Sequence, residues 1–314
     1  IRFLKGKFNF DFTYYNINSK DQFIVLPAPS GSEYTQFLVN AGEIINSGFE
    51  LTINANLLKT NQFRWSTSLN YSNNRNTIVS LHPDLNNSIS LSDQEGYQLI
   101  IKEGGSFGDL YVHKFLRDSE GRIKLDEKGN ILKTVDKEYI GNSNPDFSLG
   151  WNNNFTYKNF SLGVLFNGKF GGKVISQTEA MLDGYGVSKR SAEARDNGGV
   201  SINAIKPDGT LVTNMDARQY YTTIGYRNGI KEPYTYNRNN IRLAQLSLSY
   251  NLNFKESLIK KATFSITGQN LFFIYKDAPF DPEITLNTLT TFQALDNFSL
   301  PSTRTVGVNL KVLF

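Results

Sequence analysis

Apolar residues recur at every second position along most of this chain. Phe8, Phe10, Phe12 and Tyr14 form one face of an extended segment, with Lys7, Asn9, Asp11 and Thr13 on the other. The next run sets Phe49, Leu51, Ile53, Ala55 and Leu57 against Gly48, Glu50, Thr52, Asn54 and Asn56. After Lys59-Thr60-Asn61-Gln62, a third run sets Phe63, Trp65, Thr67, Leu69 and Tyr71 against Arg64, Ser66, Ser68, Asn70 and Ser72. The alternation returns at Phe147, Leu149, Trp151, Asn153, Phe155 and Tyr157, turns at Lys158-Asn159, and resumes through Phe160, Leu162, Val164, Phe166, Gly168 and Phe170. Ala244, Leu246, Leu248, Tyr250, Leu252 and Phe254 make the next face, then Ala262, Phe264, Ile266, Gly268 and Phe272. The last run is Val306, Val308, Leu310, Val312 and Phe314. Side chains alternate across a strand, so period two predicts eight strands; no helical stripe of comparable length competes with it.

Each run spans about 9 to 13 residues, the length of a tilted strand that crosses a bilayer. Strands in ordinary globular proteins are nearer 5 or 6 residues. The connections fall into two classes. Links at about 58–62, 158–159 and 255–261 are short, whereas those at about 20–42, 77–144, 173–237 and 277–300 are long. Short and long links alternate back from Phe314, as in an up-and-down barrel with tight turns at one rim and long extracellular loops at the other. That parity requires an even number of barrel strands, or none, within 77–144. Leu99–Glu103 and Phe107–Arg117, around Gly104-Gly105-Ser106, offer such a pair, so the count is eight or ten.

A soluble sandwich also alternates, with its apolar face against a second sheet. Three features favour lipid instead. The strands are long; the aromatics Phe8, Phe63, Trp65, Phe155, Tyr157, Phe160, Tyr250 and Phe254 gather toward strand ends; and the polar face is built from small Asn, Ser, Thr and Gly. End-of-strand aromatics match the belts found at headgroup depth. Only a closed sheet satisfies every backbone N–H and C=O in hydrocarbon, so such strands predict a transmembrane antiparallel β-barrel in an all-β chain.

Composition narrows the chemistry. The 314 residues include no cysteine and two histidines, which removes disulfides, thiolate metal sites and cysteine nucleophiles. A net charge of +4 gives no reason to expect nucleic acid as a partner. Mean hydropathy is −0.37 with 13% aromatics, and no stretch reaches the roughly 18 consecutive apolar residues of a spanning helix. The opening Ile1-Arg2-Phe3-Leu4-Lys5-Gly6-Lys7 runs straight into a strand without initiator Met or export signal, as expected of a piece of a longer polypeptide.

Several segments, in order along the chain, resemble the C-terminal part of the SusC/RagA family, TonB-dependent outer-membrane transporters of Bacteroidetes. They are Asn40-Ala41-Gly42-Glu43-Ile44-Ile45-Asn46-Ser47-Gly48-Phe49-Glu50-Leu51, Tyr139-Ile140-Gly141-Asn142-Ser143-Asn144-Pro145-Asp146-Phe147, Ile241-Arg242-Leu243-Ala244-Gln245-Leu246-Ser247-Leu248-Ser249-Tyr250 and Gly268-Gln269-Asn270-Leu271-Phe272. Phe280-Asp281-Pro282-Glu283 and the Pro301-Ser302-Thr303-Arg304-Thr305 strand ending in Phe314 complete the series. The resemblance implies that residues 1–314 supply the last 8–10 strands of a 22-stranded barrel, with the plug domain absent from this chain. It further implies an N-terminal plug and barrel part of the same transporter, a SusD-like surface lipoprotein over the mouth, contact with TonB through the missing part, and surrounding lipid and lipopolysaccharide. The expected activity is import of oligosaccharides or oligopeptides across the cell outer membrane. Phe314 resembles the terminal aromatic read by the barrel-assembly machinery. A stand-alone barrel acting as anchor or adhesin, or a secreted β-sandwich binding module, are the alternatives.

Candidate binding residues lie in the loop at 173–237: Tyr185, Tyr220, Tyr221, Tyr226, Arg227, Tyr234 and Tyr236, with Arg238 just beyond. Aromatic faces stack on sugar rings, and Arg and Tyr OH groups satisfy hydroxyls or peptide carbonyls. The same residue types are enriched at protein interfaces, so lipoprotein docking or loop packing is the rival reading. His82 and His113 lack a second ligand at metal spacing and read as surface or belt positions. Asp118-Ser119-Glu120-Gly121 and Asp126-Glu127-Lys128-Gly129-Asn130 lack the calcium-loop pattern and read as hairpin turns. Gly168-Lys169-Phe170-Gly171-Gly172-Lys173 ends a strand and lacks the Ser or Thr of a phosphate loop. No nucleophile–base pairing emerges from the spacing; catalytic residues, cofactors and metals are expected to be none.

Overall fold

A computed structural model describes residues 1–21, 23–28, 31–34, 36–40, 42–81, 88–94, 96–254, 258–284 and 294–314. The eight alternating runs form eight long strands: β1 (Phe8–Ser19), β2 (Glu43–Lys59), β3 (Phe63–Ser80), β4 (Phe147–Tyr157), β5 (Phe160–Phe170), β6 (Asn240–Asn253), β7 (Lys261–Lys276) and β8 (Thr305–Leu313). Each pairs antiparallel with the next in sequence, and the short strand Arg2–Phe3 pairs with β1 at the outer edge. Among the described residues β1 and β8 do not pair with each other, so the sheet is open. Among the described residues no further strand from the 77–144 connection enters it. Tyr97–Lys102 and Asp109–Val112 pair instead within a separate sheet with Ser88–Gln94 and Glu138–Asn142. Among the described residues the sheet thus takes eight long strands, and the pair offered by Leu99–Glu103 and Phe107–Arg117 lies outside it.

The register carries the sequence pattern across the sheet. Phe10, Ile53, Leu69, Trp151 and Phe166 fall in one lateral row. Near the tight-turn rim Phe63, Tyr157, Phe160, Tyr250, Phe264 and Leu310 fall in another. There Trp65 stacks on Phe155 at 5.5 Å and Phe160 meets Tyr250 at 4.6 Å. At the opposite end an aromatic ladder passes from Phe12 to Phe49 (6.1 Å), Tyr71 (5.1 Å), Phe147 (5.5 Å) and Phe170 (4.8 Å). Between the belts lies the 11-residue strand β4. At a rise of about 3.3 Å per residue and a tilt of 35–45°, that length covers roughly 25 Å, the height of a barrel's apolar band.

This apolar face is uncovered. Trp151 is 47% exposed, Leu248 49%, Ile266 43% and Val308 67%. A sandwich would bury those side chains beneath a second sheet; among the described residues no element lies over them. The polar face is knitted by short side chains such as Thr52 to Asn70 (2.9 Å), Ser249 to Ser265 (2.9 Å) and Thr263 to Asn251 (2.8 Å).

Buried apolar side chains gather instead in the long connections, beyond the aromatic ladder. One cluster joins Ile44 and Ile78, on β2 and β3, to Leu99, Ile101, Leu110, Val112, Val174 and Leu295. A second holds Phe115, Leu125, Ile131, Ala180, Met215, Ile224, Ile230 and Tyr234. These connections therefore make a folded cap with its own cores. It includes three helices that the period-two reading does not anticipate: α1 (Gln177–Gly184), α2 (Lys189–Asp196) and α3 (Ala217–Ile224). Among the described residues no helix is long and apolar enough to cross a membrane.

Local turn chemistry follows the sequence closely. Lys158, at a left-handed φ of 50°, makes the two-residue turn between Tyr157 and Phe160. Asp118 caps its hairpin by accepting from the Glu120 and Arg122 backbone N–H, and Asp126 accepts from Asn130 in the same way (2.7 Å). Gly171 and Gly172 carry the chain out of β5 at φ of 78° and 76°, where a Cβ on Gly171 would sit 2.1 Å from Asp146 Oδ2. His82 lies outside the described residues. His113 Nδ1–H donates to the Thr134 carbonyl (3.0 Å), and burial together with Lys133 lowers its pKa.

Candidate functional site

Each cap helix starts on a side-chain oxygen. Ser176 Oγ accepts from Glu179 N–H (3.1 Å), Ser188 Oγ from Ser191 N–H (3.1 Å), and Asp216 Oδ1 from Gln219 N–H (3.0 Å). Ser176 also donates to Asp296 (2.7 Å), tying α1 to the strand Leu295–Asp296. The helices converge on Asp183, whose carboxylate is fully buried. It accepts from Ser188 Oγ (2.5 Å), Arg190 Nε (2.9 Å) and Tyr234 OH (2.9 Å), and Arg190 Nη2 completes a 2.7 Å ion pair. A buried carboxylate is tolerated when it is paired and hydrogen-bonded to this degree. Burial works against the Arg190 charge, but Asp183 and Glu179 outweigh it and hold the guanidinium more firmly protonated than usual.

Several sequence candidates are absorbed by this packing. Tyr234 is 0% exposed, and burial followed by Asp183 pushes its phenol well above the ordinary range. Tyr236 bonds to Glu179 and meets Phe280 edge-on at 5.8 Å; burial and Glu179 push it up to about 12. Arg238 bridges two other connections, donating to the Ser143 carbonyl (2.7 Å) and the Pro282 carbonyl (2.9 Å). Tyr220 packs against the second cap core, and burial pushes its hydroxyl up to about 12. Lys231, which the sequence reading missed, is 0% exposed, and its ammonium bonds to the Tyr226 carbonyl. Burial, then Lys133, draws it down to about 7.

Other candidates face solvent. Arg227 is exposed, and Tyr185, Tyr221 and Tyr226 come together around a cavity of about 310 Å³. Tyr185 and Tyr226 meet edge to face at 5.1 Å, and Arg195 and Arg218 stand in the wall. Tyr226 holds a left-handed φ of 59°, and Gly184 leaves its ring room, since a Cβ there would lie 2.8 Å away. A larger polar groove of about 700 Å³ lies where the sheet's polar face meets the cap, lined by Tyr15, Arg75, Asn74, Tyr139, Asn144 and Asp146 among others. Among the described residues no group of His, Asp and Glu is placed to hold a metal.

An antiparallel sheet with one uncovered apolar face, two aromatic belts and a folded cap at one rim defines the class, a membrane-type β-sheet protein. Comparison with known proteins gives the relatives. The chain is 29% identical over 98% of its length to TonB-dependent receptor P3 of Formosa agariphila, and 23% identical over 90% of its length to TonB-dependent receptor SusC of Bacteroides thetaiotaomicron. It superposes on a chain of the RagAB peptide transporter with a TM-score of 0.70 at 18% identity, covering 98% of this chain. No protein-family model matches. In sequence and fold the chain is similar to the SusC and RagAB chains over most of its length. It spans about a third of the length of these relatives, 32% of P3 and 34% of the RagAB chain.

Proposed function

We propose that this chain forms part of the barrel of a TonB-dependent importer in the cell outer membrane. The observation that carries the proposal is the apolar face, uncovered between two aromatic belts over about the height of a bilayer core. The open edges at β1 and β8 support completion by further strands of a longer polypeptide, since an unpaired edge is not viable in hydrocarbon. The same open edges argue against a stand-alone barrel of these strands. On this reading the Asn- and Ser-rich face lines the lumen around an N-terminal plug, and the loops at 20–42, 77–144, 173–237 and 277–300 form the extracellular cap.

The cap faces a SusD-like surface lipoprotein, TonB engages the N-terminal part, and lipid and lipopolysaccharide cover the outside. Phe314 serves as the barrel-assembly signal. Cargo is an oligosaccharide or oligopeptide, met at the rim by Tyr185, Tyr221, Tyr226 and Arg227, and nothing in the arrangement calls for bond-making residues. The test is fractionation of the intact polypeptide. Recovery with the outer membrane, extraction only by detergent, heat-modifiable gel migration and copurification of a lipoprotein support the reading. A soluble monomer without detergent refutes it.

A further inference from the structure

We infer that the cavity between α1, α2 and α3 is a binding site for an anionic sugar unit, a pyranose ring carrying a carboxylate or sulfate. Its volume, about 310 Å³, lies at the lower end of the small-molecule range and admits about one or two rings. Tyr185 is 65% exposed and stands perpendicular to Tyr226 (84°), so a corner of two aromatic surfaces opens to solvent. A pyranose stacks its C–H face on such a ring while its hydroxyls point outward.

The unspent charge among the lining residues is positive, while the exposed Glu193 of α2, paired with Lys189, acts on Tyr221 from beside the wall. Asp183 borders the cavity, but its carboxylate is fully buried and consumed by Arg190, Ser188 and Tyr234. Arg195 and Arg218 remain, both exposed, and among the described residues neither has an ion-pair partner. Arg195 Nη1 donates to the Gly186 carbonyl (2.8 Å), which fixes its planar fork at the rim. Guanidinium groups held this way bind carboxylate and sulfate in bidentate fashion. Burial raises the Tyr221 pKa, so its hydroxyl stays protonated as a neutral donor.

An extended peptide fits less well. It requires unpaired backbone groups to add a strand to, and those around the cavity are already engaged: Tyr226 N–H on Ala180 (2.9 Å), Gly225 N–H on Tyr221 (2.9 Å) and Gly186 N–H on Asp183 (2.8 Å).

The inference rests on the importer reading only for where the ligand comes from; binding is measured separately. The intact protein, purified in detergent, is titrated calorimetrically with trigalacturonate, a sulfated galactose oligomer, a neutral trisaccharide and an acidic tripeptide. The expected result is binding of at least one anionic sugar, at least tenfold tighter than the neutral one and weakened by salt. Arg218→Gln and Tyr185→Ala, both at exposed positions, each lower that affinity at least fivefold while the melting temperature holds. Whether carboxylate or sulfate binds more tightly identifies the anion. Equal affinity for the neutral sugar, stronger binding of the acidic peptide, or indifference to both substitutions overturns the inference. A protein that binds the anionic sugar as expected yet fractionates as a soluble monomer would refute the importer and leave the site standing.

Discussion

Replacing Leu246 with arginine separates a lipid-facing sheet from a water-facing one. Leu246 lies on β6 in the row Val164, Leu246, Gly268 and Val306, and its neighbour Val164 sits between the belt residues Phe160 and Phe170. Leu246 is 37% exposed on the apolar face, so an arginine side chain can extend outward from it. If water covers this face, such a surface substitution changes stability by no more than about 0.5 kcal/mol. In hydrocarbon, arginine near the midplane of a barrel costs about 2–4 kcal/mol, a factor of roughly 30 to 900 in the folding equilibrium. The control is Asn309→Arg on the polar face of β8, exposed and opposite Ser265. Reversible refolding of the intact protein into lipid vesicles, titrated with guanidinium chloride, reads both. A loss of about 2 kcal/mol or more for Leu246→Arg, with Asn309→Arg near wild type, is expected; equal effects from the two would refute the assignment of faces.

Lys231 makes the cap sensitive to pH. Its pKa of about 7 lies below the roughly 10.4 of an unfolded lysine, so above pH 7 the unfolded chain holds the extra proton and stability rises until about pH 10. The cost of burying the charge is complete below pH 7, with a ceiling of roughly 5 kcal/mol; Lys231→Met flattens the rise, and pH-dependent thermal unfolding of the intact protein checks it. Arg242 Nη2 reaches both Asp281 oxygens at 3.0 Å, and its guanidinium lies 4.2 Å from the Phe273 ring centre. Arg242→Gln leaves a buried carboxylate unpaired at a cost of about 3–5 kcal/mol, and adding Asp281→Asn restores part of it, as equilibrium unfolding of the single and double variants will show.

The strands were legible because a sheet with one face in lipid, as proposed, obeys a strict rule. One residue in two must be apolar over the whole height of the sheet, and the runs Phe8 to Tyr14 and Phe160 to Phe170 obey it for their full length. The cap obeys no such rule. Helices α1, α2 and α3 have eight residues each, too short for a 3.6-residue stripe to stand out. Their starts were nonetheless written in Ser176 three before Glu179 and Asp216 three before Gln219, the capping spacing. Tyr185, Tyr221 and Tyr226 line one cavity, but sequence spacing could not separate them from Tyr234, whose ring is spent on the cap core. Asp183, Arg195 and Arg218 were missed because their placement depends on how three helices converge, which no local pattern encodes.

The central claim is that hydrocarbon covers the Phe, Leu and Val side of the sheet. Residues 1–314 contain no cysteine, so single cysteines carrying a spin label can be placed in turn at positions 244 to 250 on β6 of the intact protein in lipid vesicles. The account predicts that accessibility to oxygen, which concentrates in lipid, peaks at 246, 248 and 250, beyond the bulge at Ala244, and that accessibility to an aqueous nickel complex stays low there. High nickel accessibility at 246 and 248 would contradict it.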